Sequence, residues 1–206
     1  MPNFELEAHA QDRGFHLIAG VDEAGRGPWA GPVVAGAVIL DAGDLPRQLR
    51  EGLDDSKKLS ARKREELFAL LPNCAAIGVG LAEVWEIDAI NILQASSRAM
   101  ERALARLQPS PDYVLVDGNK LPDLPCTAEF VVKGDSRSFS IAAASIVAKV
   151  TRDRIMAGLA DQFPGYGWER NAGYGTAEHK AALTRWGVTD QHRKSYAPVR
   201  KMLSLD

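Results

Sequence analysis

Residues 20–32, GVDEAGRGPWAGP, place two adjacent acids, Asp22 and Glu23, at the end of an apolar run. That run, FHLIAGVDE, is short and apolar, which is typical of a buried strand. Glycines, one arginine and two prolines follow, and PVVAGAVIL then predicts a second strand beyond the turn. Since strands and helices alternate later in the chain, we expect an α/β layered fold.

The remainder of the 206-residue chain predicts three more strands, NCAAIGVGLA, DYVLVDG and AEFVVKGD. Apolar residues near helical period predict a helix in EVWEIDAINILQASSRAMERALARL. A second long helix is predicted in SFSIAAASIVAKVTRDRIMAGLADQF, with Ser138 or Ser140 as its N-cap. We predict a main α/β unit over residues 1–165 and a helical appendage over 166–206. The appendage is too short for its own core and is expected to belong to the same unit.

Composition and charge narrow the class of protein. The formal net charge is −2, so the whole chain does not indicate a polyanion partner. Two basic clusters indicate either solvated faces or local contact surfaces: Lys57, Lys58, Arg62, Lys63 and Arg64, and Arg193, Lys194, Arg200 and Lys201. The two cysteines lack ligand spacing, so zinc is not expected. No secretory signal or apolar span is recognisable, and we predict a cytoplasmic protein.

Four acids share one position, at or just beyond the end of an apolar strand: Asp22, Glu23, Asp117 and Asp135. Strand ends at the rim of an open α/β sheet are where ligands bind. Clustered carboxylates are stabilised by protonation or by a hard divalent cation such as Mg²⁺ or Mn²⁺. The alternative is that each acid is only a turn former. Because neighbouring strand residues point to opposite faces, joint metal binding by Asp22 and Glu23 predicts a break or bulge there.

The glycine-rich turn after the acids has two interpretations. Gly25, Arg26 and Gly27 would allow the backbone to approach a ligand closely, with a guanidinium beside it. Such a loop suits phosphate or ribose oxygens. The alternative is an ordinary tight turn, and neither a Walker A nor a GxGxxG pattern is present.

Six blocks in order, from about residue 15 to residue 203, resemble bacterial ribonuclease HII. They are GVDEAGRGPWAGPVVAGAVIL, DSKKLS, VDG, VKGDSRSFSIAAASIVAKVTRDR, NAGYGT with a following histidine, and HRKSYAPV. The resemblance implies a ribonuclease H-like fold: a five-stranded mixed sheet, its second strand antiparallel, flanked by helices, with a small C-terminal helical appendage.

The resemblance also implies the roles of individual residues. The catalytic and metal-binding carboxylates would be Asp22, Glu23, Asp117 and Asp135. The 2′-OH of a ribonucleotide would be held by Gly25, Arg26 and Gly27. Tyr174 would stack on the next deoxyribose, with Tyr166 as the alternative. Phosphates would be held by Ser56, Lys57, Lys58 and the C-terminal basic cluster. His179 and His192 are interpreted as surface or capping residues.

The implied reaction is hydrolysis of the RNA strand of RNA–DNA hybrids, and cleavage 5′ of single ribonucleotides in duplex DNA. Two Mg²⁺ or Mn²⁺ ions would take part, and the products would carry 5′-phosphate and 3′-OH. The alternative is another four-acid, metal-dependent nuclease or recombinase that acts on DNA. We expect a monomer without an obligate protein partner.

Overall fold

The computed structural model of the chain describes residues 1–119, 121, 124 and 126–204. Within them, the strands are β1 (Ile18–Ala24), β2 (Val33–Leu40), β3 (Ala75–Ala82), β4 (Tyr113–Asp117) and β5 (Thr127–Val131). The helices are α1 (Glu5–Asp12), α2 (Arg47–Gly52), α3 (Ala61–Leu70), α4 (Val84–Leu104), α5 (Phe139–Gln162), α6 (Trp168–Asn171), α7 (Ala177–Trp186) and α8 (Ala197–Leu203). All five predicted strands are confirmed.

The strands form one mixed sheet in the order β3-β2-β1-β4-β5. Strand β2 is antiparallel to both β1 and β3, whereas β1, β4 and β5 run parallel to one another. The predicted five-stranded mixed sheet with an antiparallel second strand is therefore confirmed. The C-terminal ends of β1, β3, β4 and β5 therefore lie in one row, which forms one edge of the sheet. The C-terminal end of β2 lies at the opposite edge, in the row formed by the other strand ends.

Helix α5 lies directly on β1 because the strand has a glycine where the two backbones meet. A Cβ at Gly20 would lie 2.1 Å from the carbonyl carbon of Ser140, so no larger residue fits there without moving the helix. The helix begins at the predicted serine: Ser138 Oγ accepts a hydrogen bond from the N–H of Ile141 at 3.1 Å. Residues 141–144 of the helix are fully buried against the sheet.

Helix α4 covers the other face of the sheet, and the two faces have separate cores. Ala19 and Val21 of β1 pack with the α4 side, together with Ala99 and Ala103. Helix α4 is kinked at Asn91, whose φ is 66° and whose Oδ1 accepts from the N–H of Leu93. The kink was not predicted from the helical period.

The C-terminal helices pack against the end of α5 and the turn after β1. Trp168 and Tyr166 are buried there with Met156 of α5 and Ala30. Helices α1, α2 and α3 were not predicted from the sequence pattern. Among the described residues, none of the helices is long and apolar enough to cross a bilayer.

Candidate active site

Strand register brings the first and third of the predicted acids together. Strands β1 and β4 are parallel neighbours, and Val21 pairs with Val116. Asp22 and Asp117 therefore follow that pair on adjacent strands, at the shared edge of the sheet. Two other acids directly follow strands but belong elsewhere. Asp41 follows β2 at the opposite edge, and Glu83 follows β3 and forms the capping box of α4.

Asp22 and Glu23 leave opposite faces of an unbroken strand. The pairing continues regularly through Asp22–Gly36 and Glu23–Ala35, so the predicted break or bulge is wrong. Asp22 is on the α5 face, where its carboxylate accepts a 2.7 Å hydrogen bond from the N–H of Glu23. The Glu23 carboxylate lies 3.3 Å from the guanidinium of Arg26. Both side chains nevertheless line the same cavity, because they lie at the C-terminal end of the strand, just before the glycines.

The turn after β5 carries the fourth predicted acid, Asp135. Asp117 Oδ1 accepts a 2.7 Å hydrogen bond from the N–H of Gly134, and this ties the end of β4 to the turn that carries Asp135. Asp135 is buried and interacts with Asp55, which the sequence interpretation did not include. Asp55 opens the block DSKKLS, so its position beside predicted phosphate ligands was the available signal.

Burial and mutual repulsion disfavour the charged forms of these carboxyl groups. Burial raises the pKa of Asp22 well above its ordinary value, and Glu23 and Asp117 raise it further. Burial also raises the pKa of Glu23, although Arg26 opposes the change. Burial, Asp117 and Asp55 raise the pKa of Asp135. Such a group of acids is a site at which added positive charge is stabilised.

Lys57 lines the cavity and is influenced by this negative charge. Burial lowers the pKa of its ammonium group, but Asp22, Asp55 and two further site acids outweigh that effect and raise it. Lys58 points elsewhere: its Nζ lies 3.0 Å from Asp54 Oδ1, and it does not line the cavity. Of the two predicted lysines, only Lys57 lines the cavity, whereas the raised pKa of Lys58 is due mainly to Asp54, with smaller effects of Asp55 and Asp135.

A cavity of about 360 Å³ joins the acids to the glycine turn. Its lining includes these predicted site residues: Asp22, Glu23, Asp117, Gly25, Arg26, Gly27, Ser56, Lys57 and Tyr174. It also includes Ser145 and Lys149, which the site prediction left out. Ser145 Oγ lies 2.7 Å from Ser56 Oγ, and a hydrogen bond from Ser145 lowers the pKa of Asp22 against the effect of burial.

The glycine loop, residues 25–32, follows the acids and depends on glycine at its first position. Gly25 has φ of +100°, which favours glycine, and a Cβ there would lie 2.0 Å from Arg152 Nε. A side chain at Gly27 would meet Tyr174, whose Cε1 lies 3.4 Å from the Cβ position. At Gly25 and Gly27 the loop therefore presents backbone between the acids and Tyr174, with the Arg26 side chain beside Glu23.

Tyr174 and Tyr166 occupy different environments. The Tyr174 side chain is 48% exposed and lines the cavity. Tyr166 is buried, its hydroxyl donates to the Gly187 carbonyl at 2.8 Å, and its ring stacks on Trp168. Only Tyr174 has a ring face available to a ligand in this arrangement.

His179 and His192 are not surface or capping side chains, so that interpretation is wrong. Both are fully buried, and their Nε2 atoms lie 3.1 Å apart. His192 Nδ1 accepts from the N–H of Thr189, so its Nε2–H donates to His179. His179 Nδ1 in turn donates to the Tyr174 carbonyl at 3.0 Å. The histidine pair supports the backbone of Tyr174 from behind.

The donor set suits a divalent cation, although the side chains do not form a closed cage. Within the described residues, no three His, Cys, Asp or Glu side chains are arranged to hold a metal ion. Asp117 nevertheless contributes to the raised pKa values of Asp22, Glu23 and Asp135, and carboxylate oxygens are hard ligands of the kind that Mg²⁺ and Mn²⁺ prefer. The residues fit such an ion.

Comparison with known proteins identifies the family. The sequence model of ribonuclease HII matches residues 19–199. A ribonuclease HII from Ruegeria pomeroyi is 59% identical over 203 residues, covering 98% of this chain and 85% of the relative.

Solved structures agree with this assignment. The ribonuclease H2 of Pyrococcus horikoshii OT3 superposes with a TM-score of 0.77 at 29% identity, over 92% of this chain and 98% of that chain. The ribonuclease HII of Archaeoglobus fulgidus, solved in complex with PCNA, superposes with a TM-score of 0.70 at 28% identity, over 88% and 95%. The chain therefore belongs to the ribonuclease HII family, whose members are endonucleases that hydrolyse the RNA strand of RNA–DNA hybrids.

Proposed function

We propose that this ribonuclease also cuts 5′ of a single ribonucleotide embedded in duplex DNA, leaving 5′-phosphate and 3′-OH ends. The proposal is carried by one observation: three of the four acids, residues 25–27 of the glycine loop and Tyr174 line one cavity. The fourth acid, Asp135, lies outside this lining, in the turn that is hydrogen-bonded to Asp117. That cavity could accept one ribose and the phosphate beside it. Nothing in it requires a second ribonucleotide.

Asp22, Glu23, Asp117 and Asp135 are the proposed catalytic carboxylates. They would hold two divalent ions, Mg²⁺ or Mn²⁺. Two ions of this kind supply a nucleophile made from water and stabilise the leaving 3′-oxygen. The contribution of the chain is a buried set of carboxyl groups whose repulsion disfavours the empty, fully charged state.

The glycine loop is the proposed reader of the 2′-OH. The carbonyls of Gly25 and Arg26 both accept hydrogen bonds from Arg193, which lies behind the loop. In a trans peptide the N–H points opposite to the C=O of the same unit, so the N–H groups of Arg26 and Gly27 point away from Arg193. Within the described residues neither N–H has an acceptor. Two free donors beside the acids support recognition of a hydroxyl oxygen, the group that distinguishes RNA from DNA.

Phosphate contacts are proposed for Ser56 and Lys57, which line the cavity, and for Lys58 farther out on the same turn. Such contacts would position the duplex without reading its bases. Tyr174 is proposed to stack on the sugar that follows the ribonucleotide.

Cleavage mapping on two matched duplexes tests the proposal. One duplex carries a single ribonucleotide and the other is entirely DNA, and each is incubated with Mg²⁺ or Mn²⁺. We expect one cut, on the 5′ side of the ribonucleotide, and no cut in the all-DNA duplex. Equal cutting of both duplexes would instead support a DNA nuclease or recombinase and refute recognition of the 2′-OH.

A pair of variants controls for the acids. Asp117→Asn should abolish the cut, whereas Asp41→Asn should leave it unchanged. Both acids end an apolar strand, but Asp41 lies at the opposite edge of the sheet. Equal loss in both variants would show that the effect is on folding and not on the site.

We further propose that residues 1–165 and 166–206 act as one unit, in the cytoplasm, as a monomer without an obligate protein partner. The ribonuclease HII from A. fulgidus was solved with PCNA, so analytical sizing with and without a sliding clamp tests this part.

A further inference from the structure

Arg193 is fully buried, and within the part of the chain that the structure describes its guanidinium donates hydrogen bonds only to the glycine loop and Tyr196. Among the described residues, no carboxylate lies within ion-pair distance of it. Its hydrogen bonds go to backbone carbonyls of the glycine loop: Gly25 at 2.6 Å, Arg26 at 3.0 Å, Gly31 at 2.8 Å and Pro32 at 3.2 Å. Because burying a cation without a counter-ion is costly, its bonds to these carbonyls are the compensation that the fold provides.

Arg152 of α5 contacts the same loop from the helix. It is also buried, and it donates to the carbonyls of Ala30 at 3.1 Å, Pro32 at 3.0 Å and Ala172 at 2.9 Å. Arg152 therefore holds the end of the loop, whereas Arg193 also holds its beginning. Arg193 is the arginine that orients the two peptide units next to the acids.

Tyr196 adds a second contact at the same peptide. Its hydroxyl donates to the Arg26 carbonyl at 2.5 Å and accepts from Arg193 Nη1 at 3.0 Å. The Arg26 carbonyl is thus held by two donors from the C-terminal appendage, 167 and 170 residues away in sequence.

We propose that Arg193, supported by Tyr196, is a positioning residue for recognition of the ribonucleotide. By holding the Gly25 and Arg26 carbonyls, it turns the N–H groups of Arg26 and Gly27 toward the cavity. This inference rests on the proposed function of the glycine loop. Through Arg193 and Tyr196, the C-terminal appendage would contribute to discrimination between RNA and DNA, in addition to any contribution to the affinity for the duplex.

Binding measurements in an Asp117→Asn background test the inference, since cleavage is then suppressed. The quantity is the ratio of dissociation constants for an all-DNA duplex and for the same duplex with one ribonucleotide. In Arg193→Lys a single ammonium nitrogen cannot span four carbonyls. We expect the ratio to fall by about tenfold, while the affinity for the all-DNA duplex stays within a factor of about two.

Two further variants separate positioning from general stability. Tyr196→Phe removes both hydrogen bonds of the hydroxyl from a half-buried ring, and we expect the ratio to fall by about threefold with the fold intact. Arg102→Lys is the matched control. Like Arg193, it donates to a backbone carbonyl, that of Leu81, but it lies on α4 away from the loop and also pairs with the Glu86 carboxylate. It should lower thermal stability and leave the ratio unchanged.

The outcomes are distinct. Wild-type ratios in Arg193→Lys and Tyr196→Phe, both folded by circular dichroism, would overturn the inference. If Arg193→Lys does not fold, Tyr196→Phe decides by the same criterion. If the Asp117→Asn protein, with Arg193 and Tyr196 unchanged, gives a ratio near one, the proposed function itself is refuted, and this inference with it.

Discussion

Tyr174→Ala tests most directly how the site would recognise the junction between RNA and DNA. The Tyr174 ring is 48% exposed and lies beside Gly27 at the edge of the cavity. A half-exposed ring contributes little to the core, so its truncation should change the free energy of unfolding by only about 0.5 kcal/mol. The effect should therefore appear in catalysis and not in stability.

The magnitude follows from the loss of one stacking contact. Such contacts with nucleic acids contribute about 1–3 kcal/mol each. Since each 1.4 kcal/mol corresponds to about tenfold, cleavage at a lone ribonucleotide should slow by roughly ten- to a hundredfold. Tyr174→Phe keeps the ring and should retain most of the rate. Cleavage within a continuous RNA strand should respond differently, because the following sugar there carries a 2′-OH.

The assay is the cleavage rate on two substrates, a duplex with one ribonucleotide and an RNA–DNA hybrid, for each variant. Tyr166→Phe is the matched control. It loses the buried hydrogen bond to the Gly187 carbonyl and should destabilise the fold by about 1 kcal/mol without changing the ratio of the two rates. If Tyr174→Ala leaves both rates unchanged while Tyr166→Phe changes their ratio, the stacking role has been given to the wrong tyrosine.

Three further predictions follow from the charges of the buried groups. Excess EDTA should abolish cleavage, and Mg²⁺ or Mn²⁺ should restore it, because the clustered carboxylates are hard oxygen ligands suited to these ions; robust cleavage in chelator contradicts this. Asp22→Asn should lose activity by orders of magnitude, yet without metal its melting temperature at neutral pH should equal or exceed that of the wild type. Burial and neighbouring acids raise the pKa of Asp22, so the stabilising effect of its protonated carboxyl group is lost as the pH rises through that pKa. A melting temperature of Asp22→Asn clearly below that of the wild type would refute this reasoning. Burial, with a smaller effect of His179, lowers the pKa of His192 to about 4. Between about pH 6.5 and 4 the unfolded chain therefore binds more protons than the folded one, and the stability of the fold should decrease as the pH drops through that window. His192→Asn should lessen that fall in a pH series of thermal unfolding, and an identical slope in both proteins is the contrary result.

Local patterns in the sequence were sufficient to predict the five strands and the two long helices, and to single out the candidate acids. Each strand is a short apolar run between turn residues, and Ser138 begins α5 because a serine there can accept from the backbone three residues later. These features depend on neighbours within a few positions. The acids Asp22, Glu23, Asp117 and Asp135 were found in the same way, by their position after strands.

Only the tertiary structure decides which acids after strands share a site. Asp41 and Asp117 have the same sequence setting, but β2 runs antiparallel to β4, and the two acids lie at opposite edges of the sheet. The unbroken register of β1 likewise separates Asp22 and Glu23 onto two faces where a bulge had been expected.

The supports behind the site are the part that no local pattern could predict. Arg193 holds the Gly25 carbonyl from 168 residues away, and His192 reaches the Tyr174 carbonyl through His179. In the sequence both look like residues of a solvated basic segment, because periodicity and composition report only on local neighbours. Their burial results from the packing of the C-terminal helices against the glycine loop. This long-range contact brings the Arg193 guanidinium and the histidine pair within hydrogen-bonding distance of backbone carbonyls that are distant in sequence.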